Sequence, residues 1–175
     1  MTSASRRIGY FGPAGTFTEQ ALLTQPDLAA CELIPFRTVP DVLDAVDKNE
    51  VELGFVPIEN SIEGTVNFTQ DALVFDHDLL IQREVVLDIE HCIVAKKGVK
   101  LGKIATLLSI PVATAQCHAY IRQNLGKAEV RAANSTAEAA RLVGEDTSNT
   151  MAAVAPRNAA DIYGLEVIAS NIADH

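Results

Sequence analysis

The chain has 175 residues, 48% of them hydrophobic and 21% charged, the balance of a folded globular domain or of two small lobes and not of a disordered chain. Its 14 Lys and Arg against 23 Asp and Glu leave a net charge of −9, which excludes general affinity for nucleic acid or an anionic membrane. There is no Trp and only 5% aromatic residues, no apolar run near the ~20 residues of a membrane span, and no apolar core of a signal peptide in the polar stretch Met1–Arg7.

In chain order, strand-like and helix-like segments alternate. Arg7–Phe11 reads as a strand, followed by the turn Gly12-Pro13-Ala14-Gly15 and a helix opened by the capping box Thr16-Phe17-Thr18-Glu19. Cys31–Phe36 is a second strand. A helix over about Pro40–Lys48 follows, with Val42, Leu43 and Val46 on one face. Leu53–Val56 is a third strand, Pro57–Gly64 a polar loop, and Val66–Phe75 a helix. Leu79–Ile89 and Cys92–Ala95 are strand-like with no helix between them, which predicts a crossing between two lobes. Ile104–Leu108 is a strand and Ala113–Asn124 a helix. Glu129–Ala132 is a strand, and the capping box Ser135-Thr136-Ala137-Glu138 opens a helix to about Val143. Met151–Val154, a helix over Pro156–Tyr163 closed by Gly164, and Leu165–Ala169 complete the chain.

This alternation predicts an α/β fold with a largely parallel sheet in each of two lobes. The expected first lobe is residues 1–85 plus 169–175, the second residues 86–168, with a ligand cleft between them. Ligands of open α/β sheets sit beyond the carboxyl ends of strands, so the loops to watch are Gly12–Gly15, Pro57–Gly64, Ser109–Gln116 and Asn134–Ala137.

The glycine turn at residues 12–15 matches neither the dinucleotide nor the nucleotide phosphate-loop pattern. It reads either as a tight turn or as a close backbone approach to an anion at a helix start. Pro57–Thr65 is either a solvated loop with Asx and Ser turns or a set of amides and hydroxyls aimed at a ligand; Glu59 and Glu63 read as solvated. Ser109 at a strand end and Gln116 on the first turns of the next helix can bond an oxygen without bringing charge, or serve only as cap and incidental amide. Cys117-His118 and His91-Cys92 are adjacent pairs that do not share a face, and His77 between two aspartates reads as a solvated turn residue. Cys31, Cys92 and Cys117 form no CxxC pair and the histidines no metal-ligand spacing, so neither a disulfide framework nor a metal site is expected, and the compartment predicted is the cytoplasm.

Five segments, in one order along nearly the whole chain, resemble those of prephenate dehydratases: Gly12–Glu19, Pro57–Ser61 through Gly64-Thr65-Val66, Ala115-Gln116-Cys117, Asn134–Ala140, and Ala153–Gly164. The resemblance implies a two-lobed fold similar to type II periplasmic binding proteins. It implies conversion of prephenate to phenylpyruvate, carbon dioxide and water in phenylalanine biosynthesis, with neither metal nor organic cofactor. By motif, Asn60, Ser109 and Gln116 take catalytic roles, and Thr16, Ser61, Thr65, Ser135, Thr136 and Ala137 contact substrate. A homo-oligomer, dimer or tetramer, is implied for the complete protein. The sequence departs from the family in having Ile110-Pro111-Val112 where His-Pro-Gln often follows the serine. The family's Thr-Arg-Phe motif follows a segment resembling Asn171–His175, and a phenylalanine-sensing ACT domain follows that. Neither falls within these residues, so a catalytic-domain fragment of low activity is expected. Arg131, Arg141 and Arg157 read as solvated charges and leave no cationic clamp for a dianion. Arogenate, which carries an amino group on the side chain, is an alternative substrate, and a non-catalytic small-anion binding module of the same fold is the alternative function.

Overall fold

The computed structural model describes residues 6–61 and 64–174. Residues 1–5 of the polar N-terminus, Glu63 of the paired glutamates, and His175 lie outside the described residues. The chain forms two compact α/β units, one from residues up to Pro13 with Thr18–Leu87, the other from Ala14–Phe17 with Asp88 onward.

In the first unit, β1 (Arg7–Phe11), β2 (Glu32–Phe36) and β3 (Leu53–Phe55) form a parallel sheet in the order β2-β1-β3. The helices are α1 (Phe17–Leu23, whose first residue, Phe17, falls in the second unit), α2 (Pro26–Ala29) and α3 (Val39–Asp47). Thr38 starts α3 by accepting from Asp41 N–H at 3.2 Å, satisfying one of the amides a helix start leaves open. Ile8, Tyr10, Leu22 and Leu28 close one core, and Val39, Leu43 and Ala72 a second. A Cβ at Gly54 would lie 2.9 Å from Val42, so glycine is what lets β3 pack this near α3. The loop after β3 carries a short antiparallel hairpin, β4 (Glu59–Asn60) with β5 (Gly64–Thr65). It is pinned where the buried Thr69 hydroxyl donates to Pro57 O at 2.8 Å. α4 (Asn67–Asp71) runs on into one π-helical turn, Ala72–Asp76.

Two expectations fail here. Residues 77–91 form neither strand nor helix. Leu80, Ile81 and Val86 are 79%, 67% and 83% exposed, so the strand expected over Leu79–Ile89 has the apolar sequence of a strand but no ladder partner among the described residues. The segment is tethered instead by Arg83, whose guanidinium donates to both carboxylate oxygens of Asp27 at 3.0 and 2.8 Å. His77 is not a solvated turn residue either. Its side chain is only 8% exposed and lies 3.4 Å from Asp44 and 3.8 Å from Asp47.

The second unit holds a five-stranded sheet, β6 (Cys92–Ala95), β7 (Thr106–Ser109), β8 (Glu129–Ala132), β9 (Met151–Ala155) and β10 (Glu166–Ala169), in the order β10-β6-β9-β7-β8. β7 is parallel to β8 and β9, but β6 runs antiparallel to both β9 and β10. The sheet is therefore mixed where a largely parallel one was expected. Period-2 alternation sends Cys92, Val94, Ala153 and Ala155 to one face and Ile93, Ala95, Ala152 and Val154 to the other, so both faces are covered. α7 (Thr136–Glu145) and α8 (Arg157–Ile162) pack on the first face through Ala139, Ala140, Val143, Ala159 and Ala160. α5 (Pro111–Gln116) and α6 (His118–Asn124) cover the second through Ala113 and Ile121.

The single helix expected over Ala113–Asn124 is thus two, broken at Cys117, whose φ of −116° and ψ of 19° leave the helical range. The physical reason is in the tail. Asp174 N–H donates to Gln116 O at 2.8 Å, and the Asp174 carboxylate accepts from Ala119 N–H and Tyr120 N–H, capping α6 from outside. Ile172 is 1% exposed within the same core. Residues 169–174 consequently belong to the second unit and not, as expected, to the first; β10 stays in the sheet beside β6 and does not lead back. Among the described residues no helix is long and apolar enough to cross a membrane.

Candidate functional site

The loop Ala14–Phe17 is part of the second unit, and its glycine explains its course. Gly15 has φ +86°, and a Cβ there would meet Ala159 Cβ at 3.3 Å, so this turn combines a left-handed backbone with a close approach to α8. Tyr163 OH donates to Ala14 O at 3.0 Å and ties the loop to the end of α8. Thr16 is buried, at 7% exposure. The Phe17 ring stands edge-on to the His91 imidazole, with centroids 5.4 Å apart and planes at 86°.

His91, 4% exposed, joins this loop to α5: its Nε2 lies 2.7 Å from Gln116 Oε1. Burial pushes the imidazole below its ordinary pKa, and the Gln116 contact offsets part of that shift. Gln116 closes α5 rather than standing on the first turns of a longer helix, because the chain breaks one residue later. Its Nε2 is buried with no hydrogen-bond partner among the described residues. Ser109, at the end of β7 and 1% exposed, donates its hydroxyl to Val154 O at 2.7 Å, so its proton is committed to the neighbouring strand. Ser109 lines a shallow groove of about 210 Å³ with Pro111, Thr114, Val130, Arg131 and Ala132.

Ser135 accepts from Glu138 N–H at 2.9 Å, and Glu138 accepts from Asn134 N–H at 2.7 Å. This is the capping box read from the sequence, with its return bond one residue earlier than the motif prescribes. Thr136 and Ala137 are buried behind it at 5% and 0% exposure. In the first unit, Asn60 sits half-buried on β4, with Ser61 and Thr65 exposed beside it.

The other ionic and sulfur groups sort themselves. Arg131 pairs with Glu129 at 2.7 Å, Arg141 with Glu145 at 2.7 Å and Arg157 with Glu90 at 3.2 Å, all with exposed guanidinium groups. The Cys117 thiol is pushed up to about 12, first by burial and then by Asp174 and Cys92, so it is no nucleophile at neutral pH. The structure thus links loop 14–17, His91 and Gln116 in one run of contacts. From the sequence, His91 is discounted as half of an adjacent pair, and neither Phe17 nor Asp174 takes a site role. The one available signal was a histidine directly preceding a fully apolar strand, where a side chain has to find a partner in the core.

Comparison with known proteins agrees with this motif order. Residues 8–175 match the prephenate dehydratase family. A prephenate dehydratase of Amycolatopsis methanolica is 41% identical over 168 residues, 96% of this chain and 54% of that protein. The crystal structure of a prephenate dehydratase from Arthrobacter aurescens in complex with L-Phe superposes with a TM-score of 0.89 at 36% identity, covering 97% of this chain and 56% of that one. A quorum quenching acylase superposes at 0.84 with 29% identity, over 97% of this chain and 60% of that one. The chain spans about half the length of the curated relatives it matches. With 97% of the chain matched by a solved dehydratase and the family match running from β1 to the last residue, this chain belongs to the prephenate dehydratase family.

Proposed function

We propose that the protein carrying these residues is a lyase that converts prephenate to phenylpyruvate, carbon dioxide and water in phenylalanine biosynthesis, in the cytoplasm and as a homo-oligomer. The ring carboxylate leaves as carbon dioxide, its bonding electrons enter the ring, and the ring C–O bond breaks. The departing hydroxide takes one proton and leaves as water. A donor placed at that oxygen lowers the barrier by meeting charge as it develops; a donor at a carboxylate holds and orients the substrate.

The observation that carries this reading is the Gln116 amide, whose Nε2 is buried and bonded to no described group. An unspent donor in such a place costs about 1–3 kcal/mol, a cost that an anionic or leaving oxygen would offset. On their motifs, Asn60 and Ser109 are assigned with Gln116 to the chemistry. Thr16, Ser61, Thr65, Ser135, Thr136 and Ala137 are assigned to substrate contact. Because its proton is held by Val154 O, Ser109 can offer a ligand only its lone pairs.

The test is phenylpyruvate formation from prephenate, run beside arogenate and beside an acylated amine, the last because an acylase shares this fold. Turnover of prephenate, reduced ~10²-fold or more by Gln116→Ala with unchanged melting temperature, supports the proposal. Turnover of the acylated amine alone, or full activity in Gln116→Ala, contradicts it.

A further inference from the structure

We propose that His91 is a positioning residue that sets which end of the Gln116 amide faces the substrate. This rests on the reading that Gln116 contacts substrate. A glutamine amide can turn by 180° about its last bond and exchange a donor for an acceptor at almost no steric cost. The function therefore needs something that distinguishes the two ends. His91 does so: its Nε2 is 2.7 Å from Gln116 Oε1, a pairing that requires the hydrogen on Nε2. With Oε1 held in this way, the amide NH2 projects on the side away from the imidazole, where it has no described partner.

The imidazole is in turn immobilised from several directions. Its ring packs edge-to-face with Phe17, the His91 backbone carbonyl accepts from Ile172 N–H at 3.2 Å, and only 4% of the residue is exposed. Its Nδ1 is buried and unbonded among the described residues, so no acceptor there draws the hydrogen away from Nε2. The opposite tautomer would place a bare Nε2 against Oε1, two acceptors at 2.7 Å, unless the amide turned. A turned amide would present an oxygen to an anionic substrate. Loop 14–17 therefore acts on the site through a chain of contacts, Phe17 to His91 to Gln116.

The experiment combines a double-mutant cycle with a tautomer measurement. His91→Leu keeps the burial and removes the donor; His91→Gln restores an N–H near the position of Nε2. The expected result in the prephenate assay is a ~10–100-fold loss of kcat in His91→Leu, as for a displaced catalytic group, with a smaller change in KM. His91→Gln recovers most of that loss. In the Gln116→Ala background, His91→Leu has little further effect, since the two act as one unit. Nitrogen-15 NMR of the unmodified protein at neutral pH shows His91 protonated on Nε2 and bare on Nδ1, a readout that needs neither turnover nor a stable variant. Protonation on Nδ1 overturns the proposal, as do losses that multiply in the double variant. A fully active Gln116→Ala removes the underlying reading as well. A crippled Gln116→Ala beside a fully active His91→Leu removes only the role of His91.

Discussion

Replacing Asp174 by Ala takes away the carboxylate that closes the start of α6. That carboxylate accepts from Ala119 N–H at 2.9 and 3.1 Å and from Tyr120 N–H at 3.4 Å. Loss of such a cap costs about 0.5–2 kcal/mol, and loss of a negative charge beside a helix start about 0.3–1 kcal/mol more. α6 has seven residues, too few to hold by local propensity, so the expected total is about 2 kcal/mol. At ~4–8 °C per kcal/mol for a unit of this size, the melting temperature should fall by about 10 °C. Asp174→Asn keeps one carbonyl acceptor and loses the charge, so its loss should be about half as large. Thermal unfolding followed by circular dichroism reads the first quantity, and hydrogen exchange at the Ala119 and Tyr120 amides reads the local one. An Asp174→Ala variant that melts within about 1 °C of the parent, with both amides still protected, would refute the assignment of the tail to α6.

Other outcomes follow from the same geometry. Gly15→Ala should destabilise the second unit by about 1–2 kcal/mol, measured by urea denaturation, because φ is +86° and the new Cβ meets Ala159. Iodoacetamide at pH 8 should label Cys31 in the native protein and spare Cys92 and Cys117 until denaturant is added, since both are buried and burial raises both thiols; mass spectrometry of the labelled peptides decides this. His91 is held below its ordinary value of 6.5 by burial, so the unfolded chain binds the extra proton first as pH falls. Its contribution is intact above 6.5 and lost as pH drops toward the lowered value. Denaturation curves from pH 8 to 5 should show a stability slope in that window that His91→Gln flattens.

The parts legible in the sequence were those that local chemistry determines. Arg7–Phe11 and Glu129–Ala132 are strands with the expected bounds, and Ser135 caps α7 as its box requires. What escaped was set by distant partners. Nothing near Cys117 foretells a helix break, because the group responsible is Asp174, 55 residues beyond Ala119. Leu79–Ile89 has the apolar content of a strand, yet strand formation needs a ladder partner, which periodicity does not supply. The antiparallel sense of β6 likewise depends on its insertion between β9 and β10. At the site, the neighbourhood and family motif of Gln116 single it out, whereas adjacent residues on a strand diverge and give His91 no partner in sequence. Divergence of neighbours on a strand keeps His91 and Cys92 apart, yet it leaves His91 free to meet a partner 25 residues away.

The most direct measurement is of the Gln116 side-chain amide itself. In nitrogen-15 spectra of the protein with selectively labelled glutamine, assigned by loss of the signal in Gln116→Ala, prephenate should shift the Gln116 NH2 resonances saturably. The same addition should leave His91 protonated on Nε2. Saturable binding of prephenate, seen elsewhere in the spectrum, with the Gln116 amide unmoved would contradict the claim that this donor meets the substrate.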